Sequence, residues 1–478
     1  MNKTLSIASR TLPIAAELVA FPATAQQVPN AQPDRAVSAQ DRFYTSDQFS
    51  NTVSVIDPST NTLLGVIKLG DPTPANLSPL YRGQLLVHGM GFSPDRRTLA
   101  VVSIGSNSVS FIDTATNAVK HTAYVGRSPH EAFFRPDGRE VWVSVRGEDY
   151  IAVLDGTTFK ETGRIAVPNG PGMTIFSPDG KYGYVCSSFS PETVVIDTRS
   201  KRIVGRVKQD SPFCPDIAAT PDGKQVWLTL KDVGRVMVFD AKPPFAVLKT
   251  IDTGPITNHV NIARTPKGQF AYVTVGTQNI VRVFRTDDFS EIASVPVGAL
   301  PHGLWPSGDG SRMYVGLEND DAVAVIDTAT NKVIATIPIG QGPQGVAYVP
   351  GAVPSGQGLD NLVPLAKAQG KVQVVLEGQG QSQVSLFDQG QVQILQAAVA
   401  GLAPKQTFTL GLAARQDGTG TVEPLAKFMT NPAGAAIVNA VGPIRQIVKD
   451  AAPAERRFLV IRSGAPDEAG AVVQRQKP

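Results

Sequence analysis

Short runs of alternating apolar and polar residues, each closing on an aspartate, recur along most of the chain. Val53-Ser54-Val55-Ile56-Asp57, Val109-Ser110-Phe111-Ile112-Asp113 and Ile151-Ala152-Val153-Leu154-Asp155 are the first three. Thr193–Asp197, Val236–Asp240 and Val323–Asp327 continue the series, and Val281–Arg285 is a copy without the acid. The runs end at 57, 113, 155, 197, 240, 285 and 327, so the interval is 42 to 45 residues after a first one of 56. Thirteen residues before these ends stand Tyr44, Ala100, Trp142, Tyr184, Trp227, Tyr272 and Tyr314, six of the seven aromatic. Alternation of this kind marks half-buried strands. Pro136-Asp137-Gly138, Pro178-Asp179-Gly180 and Pro221-Asp222-Gly223 punctuate them. Proline presets φ at the first corner of a turn and glycine accepts a positive φ, so each such site joins two antiparallel strands. Every repeat then holds four strands: a (Met90–Phe92 and equivalents), b (around Tyr44), c (ending in the aspartate) and d (such as Val333–Ile339). A four-stranded unit of this length is a propeller blade, and seven repeats predict seven blades. Blade 1 begins at strand b, while a spare strand, Gly345–Pro350, follows the last d. The pattern predicts that this strand completes blade 1 and closes the ring.

Several of these segments resemble a known family. Tyr272-Val273-Thr274, Val323–Asp327 with Thr328-Ala329-Thr330-Asn331, and Ile337-Pro338-Ile339-Gly340 followed by Gly342-Pro343 look like the YVTN-repeat β-propeller family. That family is WD40-like in architecture, comprises surface-layer and exported proteins, and is similar in fold to the propellers of nitrous oxide reductase and quinoprotein amine dehydrogenase. The resemblance covers about residues 41–351. It implies a fold and leaves activity open, because propellers host many functions.

Beyond a linker at 352–366, residues 367–478 again alternate in some six or seven short segments. The fold class expected for the whole chain is all-β: a seven-bladed β-propeller followed by a small immunoglobulin-like β-sandwich. The second domain contains neither His nor Cys. It therefore lacks the ligands of a copper-binding cupredoxin, unlike the second domain of nitrous oxide reductase, and reads as a recognition or docking module. At the start, Met1-Asn2-Lys3, a patchy apolar stretch Thr11–Phe21 and Ala23-Thr24-Ala25 suggest a signal peptide over 1–25 and a flexible leader over 26–40. A periplasmic or secreted protein is the expectation. No apolar run is long enough to predict a membrane span.

Composition narrows the partners. With 44 Lys+Arg against 41 Asp+Glu, the net charge of +3 gives no reason to expect nucleic acid. Two cysteines exclude a disulfide-dense scaffold. Cys186 and Cys214 approach the same face on neighbouring blades, where export would favour a disulfide between them. Gly-Lys-Ser/Thr phosphate loops, Gly-x-Ser-x-Gly elbows, His-Glu-x-x-His and Cys-x-x-Cys are all missing.

Candidate chemistry gathers on one face. The d–a and b–c loops share it, and four of the five histidines fall at the start of strand a: His88, His130, His259 and His302. Innermost strands line the channel, so these imidazoles would converge on its mouth as two pairs from opposing sides. Neutral imidazole suits a transition metal such as Cu, Zn or Fe. Glu131, Arg146, Lys231 and Glu318 lie on the same face and are the acid–base candidates. The first, longer interval places extra chain at Asp71–Leu86, whose Tyr81 and Arg82 could form a lid over a ligand. Strand-end aspartates such as Asp57 and Asp113 are expected to cap their own turns rather than hold calcium.

Two functions follow. The leading one is an exported binding protein that recognises a protein or small-molecule ligand at the channel mouth, with no enzymatic signature. The alternative is a periplasmic metal- or cofactor-dependent enzyme (oxidoreductase, lyase or lactonase) using the His-lined site.

Overall fold

In the computed structural model, the described residues are 36–70, 85–366, 371–388, 393–442, 444, 448, 451–468 and 470–477. The expected signal segment, most of the leader, and Tyr81 and Arg82 lie outside them. Seven four-stranded antiparallel sheets form the propeller. Pro343–Val349 pairs with Arg42–Asp47 in the register Arg42↔Val349 to Tyr44↔Ala347, so the last strand completes blade 1 as the pattern predicts. This closure pairs the edge that a linear array of strands would leave open.

The repeated residues explain why the blades stack. Tyr44, Trp142, Tyr184, Trp227, Tyr272 and Tyr314 are fully buried. The Tyr184 hydroxyl donates to the carbonyl of Ala241 at 2.6 Å and that of Tyr272 to Asn331 Oδ1 at 2.8 Å, each reaching the next blade. Each ring thus contributes apolar area to the inter-blade core; these two tyrosines add a hydrogen bond to the neighbouring blade, while Trp142 and Trp227 donate to Glu140 and Gln225 of their own strands. Gly138, Gly180 and Gly223 hold φ of 71°, 69° and 66° at the b-strand entry turns. The strand-end aspartates cap their own turns: Asp113 Oδ1 accepts from the Thr116 amide and Asp327 Oδ1 from the Thr330 amide.

The C-terminal strands differ from expectation. They form one antiparallel sheet of eight strands, in the order Val422–Met429, Thr407–Ala413, Phe458–Ser463, Val472–Gln476, Val372–Gly378, Gly380–Asp388, Gln393–Val399, Ala436–Gly442. The sheet curls until its ends nearly meet, giving a barrel in place of the two sheets of a sandwich. Alternation buries one face of every strand in a single core that includes Leu376, Leu395, Leu410 and Ile461. Either architecture satisfies that pattern; strand pairing decides between them.

The barrel sits on the propeller's top face. The linker first crosses the bottom, where Asn117 Nδ2 donates to the carbonyls of Gly358 and Asp360, and then pairs Val363 with Val66 on the outer strand of blade 1. Above, the Lys371 ammonium lies 3.4 Å from Asp321, Gln373 Nε2 donates to the Asn319 carbonyl at 2.6 Å, and Phe387 packs on Phe49 with centroids 4.8 Å apart. Ile256 and Leu300 join Ala398 and Ala435 in a small apolar cluster. The Ala433 amide donates to the Asp232 carbonyl. Among the described residues, these contacts fall on blades 5, 6, 7 and 1, leaving the tops of blades 2, 3 and 4 uncovered.

Candidate functional site at the capped channel mouth

Every a strand but that of blade 5 begins with a break in its pairing with strand b, for example between Val87 and Met90, Pro129 and Glu131, and Pro301 and Leu304. A bulge adds an unpaired residue and re-aims its side chain. The slot so formed holds His88, His130, Gly172, Pro215, Asn258, His302 and Gln344 in blades 2 to 7 and 1. The next slot holds Gly89, Glu131, Met173, Asp216, His259, Gly303 and Gly345.

Those glycines shape the mouth. A Cβ at Gly303 would meet the Gln344 carbonyl at 2.4 Å, one at Gly345 the His88 carbonyl at 2.4 Å, and one at Gly89 the His130 carbonyl at 2.1 Å. Blades 7, 1, 2 and 3 therefore approach more closely than any side chain there would allow. The histidines consequently form one arc, where the sequence suggested two opposed pairs. Ring centroids are 4.3 Å apart for His130 and His88, 6.4 Å for His88 and His302, and 4.4 Å for His302 and His259. All four are buried.

Blades 3 to 6 instead send side chains into the channel. Glu131, Met173, Asp216 and His259 line a cavity with about 20 Å³ open to the centre of a water molecule. Such a space admits a water or an ion and excludes an organic cofactor at that depth. Asp216 accepts from the Val260 amide at 2.7 Å, and Glu131 from that of Met90. Burial pushes both carboxyls well above the usual range, favouring the protonated form. Burial also drives His88, His130 and His259 well below their ordinary value, and His302 below it, helped for His88 and His130 by the neighbouring imidazoles and the Arg146 guanidinium. At neutral pH the rings are neutral and their lone pairs are available.

Tautomers are set by the fold. His130 Nδ1 lies 3.0 Å from the Gly172 carbonyl and His302 Nδ1 3.2 Å from the Gln344 carbonyl. A carbonyl can only accept, so each Nδ1 carries the hydrogen and each Nε2 the lone pair. Among the described residues, His88 Nδ1 and His259 Nε2 are buried without a protein hydrogen-bond partner. Atoms of His88, His130 and Glu131 able to ligate an ion all lie within 4.8 Å of one another.

The remaining candidates take different positions. Glu318 is buried and accepts from Gln396 Nε2 of the barrel at 2.7 Å, which makes it part of the cap contact. Arg146 and Lys231 stand at the ends of the b strands of blades 3 and 5, beside the arc. Phe189 and Phe213, which sequence reasoning passed over, flank Arg146 with ring centroids 5.6 and 5.5 Å from its Cζ. Their loops carry no repeat signal that could have singled them out. Cys186 and Cys214 are joined as a disulfide between blades 4 and 5, with Cα atoms 5.9 Å apart.

The YNCE-like beta-propeller family description matches residues 7–353, which is most of the chain and all seven blades. The chain belongs to the YNCE-like β-propeller family. No curated protein matches it in sequence. Among solved structures it is similar to a functionally unknown protein from Desulfotomaculum acetoxidans DSM 771, at 15% identity and a TM-score of 0.54 over 64% of this chain and 98% of that one. Hydrazine synthase from Kuenenia stuttgartiensis aligns at 22% identity and a TM-score of 0.49, over 54% of this chain and 88% of that one. These likenesses concern the fold alone. YNCE-like propellers thus include one whose mouth carries a histidine arc under a β-barrel cap. None of its described helices is long and apolar enough to cross a membrane.

Proposed function

We propose that this YNCE-like propeller is an exported binding protein whose capped mouth holds a transition-metal ion on imidazoles and presents it to a small molecule. The convergence of His88, His130, His259 and His302 into one buried arc carries the reading. Two further features fit it. Backbone carbonyls fix the Nδ1 hydrogens of His130 and His302, the outer support that oriented metal-ligating histidines have. The orphaned nitrogens of His88 and His259 are buried polar atoms whose cost a cation would offset. Cu, Zn or Fe matches an imidazole-rich donor set. The barrel occupies half of the top face, which favours a small ligand over a protein partner there. The signal-like start and the inter-blade disulfide support export.

Metal analysis of protein purified from an oxidising compartment tests the reading. About one ion per chain is expected for the wild type, falling severalfold in a His130→Ala, His302→Ala double variant. Negligible metal in both proteins, with no uptake of added Cu or Zn, would end it.

A further inference from the structure

Blades 3 to 5, where the uncovered sector of the mouth meets the edge of the cap, carry a second set of groups that the histidine arc does not use. Arg146 and Lys231 occupy the same slot, one residue past strand b, in blades 3 and 5. Between them blade 4 places Ser188, whose Oγ accepts from Arg146 Nε at 3.0 Å. Among the described residues, no hydrogen-bond partner engages the two Nη groups of Arg146. Phe213 lies 5.5 Å from Arg146 Cζ and 5.8 Å from Lys231 Nζ, and Phe189, 54% exposed, lies 5.6 Å from the same Cζ. The rings hold the cation in place by cation–π attraction and add an apolar wall.

Among the described residues, no carboxylate lies within salt-bridge distance of Arg146 or Lys231. Glu131 and Asp216 sit deeper in the channel, each accepting a backbone amide hydrogen. Glu318, which faces Lys231 and His302, is committed to Gln396 of the barrel. Asp232, beside Lys231, holds its side chain on Asn431 of the barrel and its backbone carbonyl on the Ala433 amide. Two partly buried cations beside aromatic rings therefore stand where the free side of the mouth, at blade 3, meets the edge of the cap, at blade 5.

We propose that this sector binds a small organic carboxylate with a flat apolar body. Its carboxylate lies between the Arg146 guanidinium and the Lys231 ammonium, and its body lies along Phe213 and Phe189. The arginine fork supplies geometry and the lysine a second charge, which discriminates a carboxylate from its neutral amide. The proposal deepens the reading of the mouth as a small-ligand site and names the ligand's class.

Calorimetric titration of the full chain with benzoate, benzamide, acetate and inorganic phosphate tests it, before and after treatment with a chelator. Benzoate is expected to bind about tenfold or more tightly than benzamide or acetate, and Arg146→Gln or Lys231→Met to weaken it by about tenfold each. Lys231→Arg, which keeps the charge, is expected to retain most of the affinity, and unchanged circular dichroism shows that the variants fold. Equal binding of benzoate and benzamide, preference for phosphate, no detectable benzoate binding, or indifference to both substitutions would overturn the proposal. Chelation separates the two readings. Benzoate binding that survives metal removal supports the cationic site whether or not the arc holds an ion. Binding that vanishes with the metal but ignores Arg146→Gln and Lys231→Met refutes the cationic site and leaves the metal reading standing.

Discussion

His130 donates its Nδ1 hydrogen to the carbonyl oxygen of Gly172, 3.0 Å away in the equivalent slot of the next blade. The slot partner is a glycine, so no side chain stands between ring and carbonyl. That bond orients the ring and leaves Nε2 as the ligating atom. His130→Asn offers an amide hydrogen for the same carbonyl and no imidazole lone pair. The variant is expected to melt close to the wild type while its metal content falls by about half or more. Full metal retention in a folded His130→Asn variant would remove His130 from the site.

Close approach of the inner strands depends on glycine. At Gly345 a Cβ would lie 2.4 Å from the His88 carbonyl and 3.1 Å from Gly89 Cα, both backbone atoms that cannot move aside. Gly345→Ala is expected to cost about 2–4 kcal/mol by forcing blades 1 and 2 apart. It should also reduce metal binding, since His88 and His302 meet across blade 1. Gly163→Ala, on an outer strand with nothing within 4 Å, is the control and is expected to change stability by no more than about 0.5 kcal/mol. Denaturant unfolding of both variants reads the difference; equal effects would refute the packing argument.

The propeller was legible because its determinants repeat. An aromatic in strand b, a Pro-Asp-Gly turn and an Asp-capped c strand recur at a fixed interval, and closure followed from counting strands. The four histidines were also legible as a set, from their place at the start of strand a, three in one slot and His259 in the next. Their arc was not, because it depends on glycines one residue further on whose role is close approach of neighbouring blades. The barrel was misread as a sandwich because inward–outward alternation is common to both. Its seat on the top face left no mark in the sequence either: Phe49, Phe387 and Gln396 are ordinary strand and loop residues until the domains meet. Phe189 and Phe213 acquire meaning only beside Arg146.

Cys186 and Cys214 are 28 residues apart and tie the inner part of blade 4 to the entry of blade 5. Cross-linking a loop of this size restricts the unfolded chain. A Cys186→Ser, Cys214→Ser double variant is expected to lose about 3 kcal/mol, and dithiothreitol to lower the melting temperature of the wild type alone. Identical melting of the two proteins under oxidising conditions would show that the bridge contributes nothing.

Asp47 tests the electrostatics beneath the cap. Its carboxyl is fully buried at the end of strand b in blade 1 and accepts from Thr45, Thr52 and Ser54 hydroxyls at 2.6, 2.9 and 2.7 Å. Burial outweighs those donors and pushes its pKa from 3.8 up to about 7. Between these values the folded protein holds a proton that the unfolded chain has released. Stability from this group is therefore full below about pH 4 and is lost as pH rises toward 7. An asparagine side chain in its place has no proton to lose, and any change in the hydrogen bonds it makes is independent of pH. Asp47→Asn should accordingly gain on the wild type across that window, by on the order of 2–4 kcal/mol. Urea midpoints measured from pH 4 to pH 8 give the comparison. Parallel curves for the two proteins would mean that Asp47 ionises in the folded state at its ordinary value.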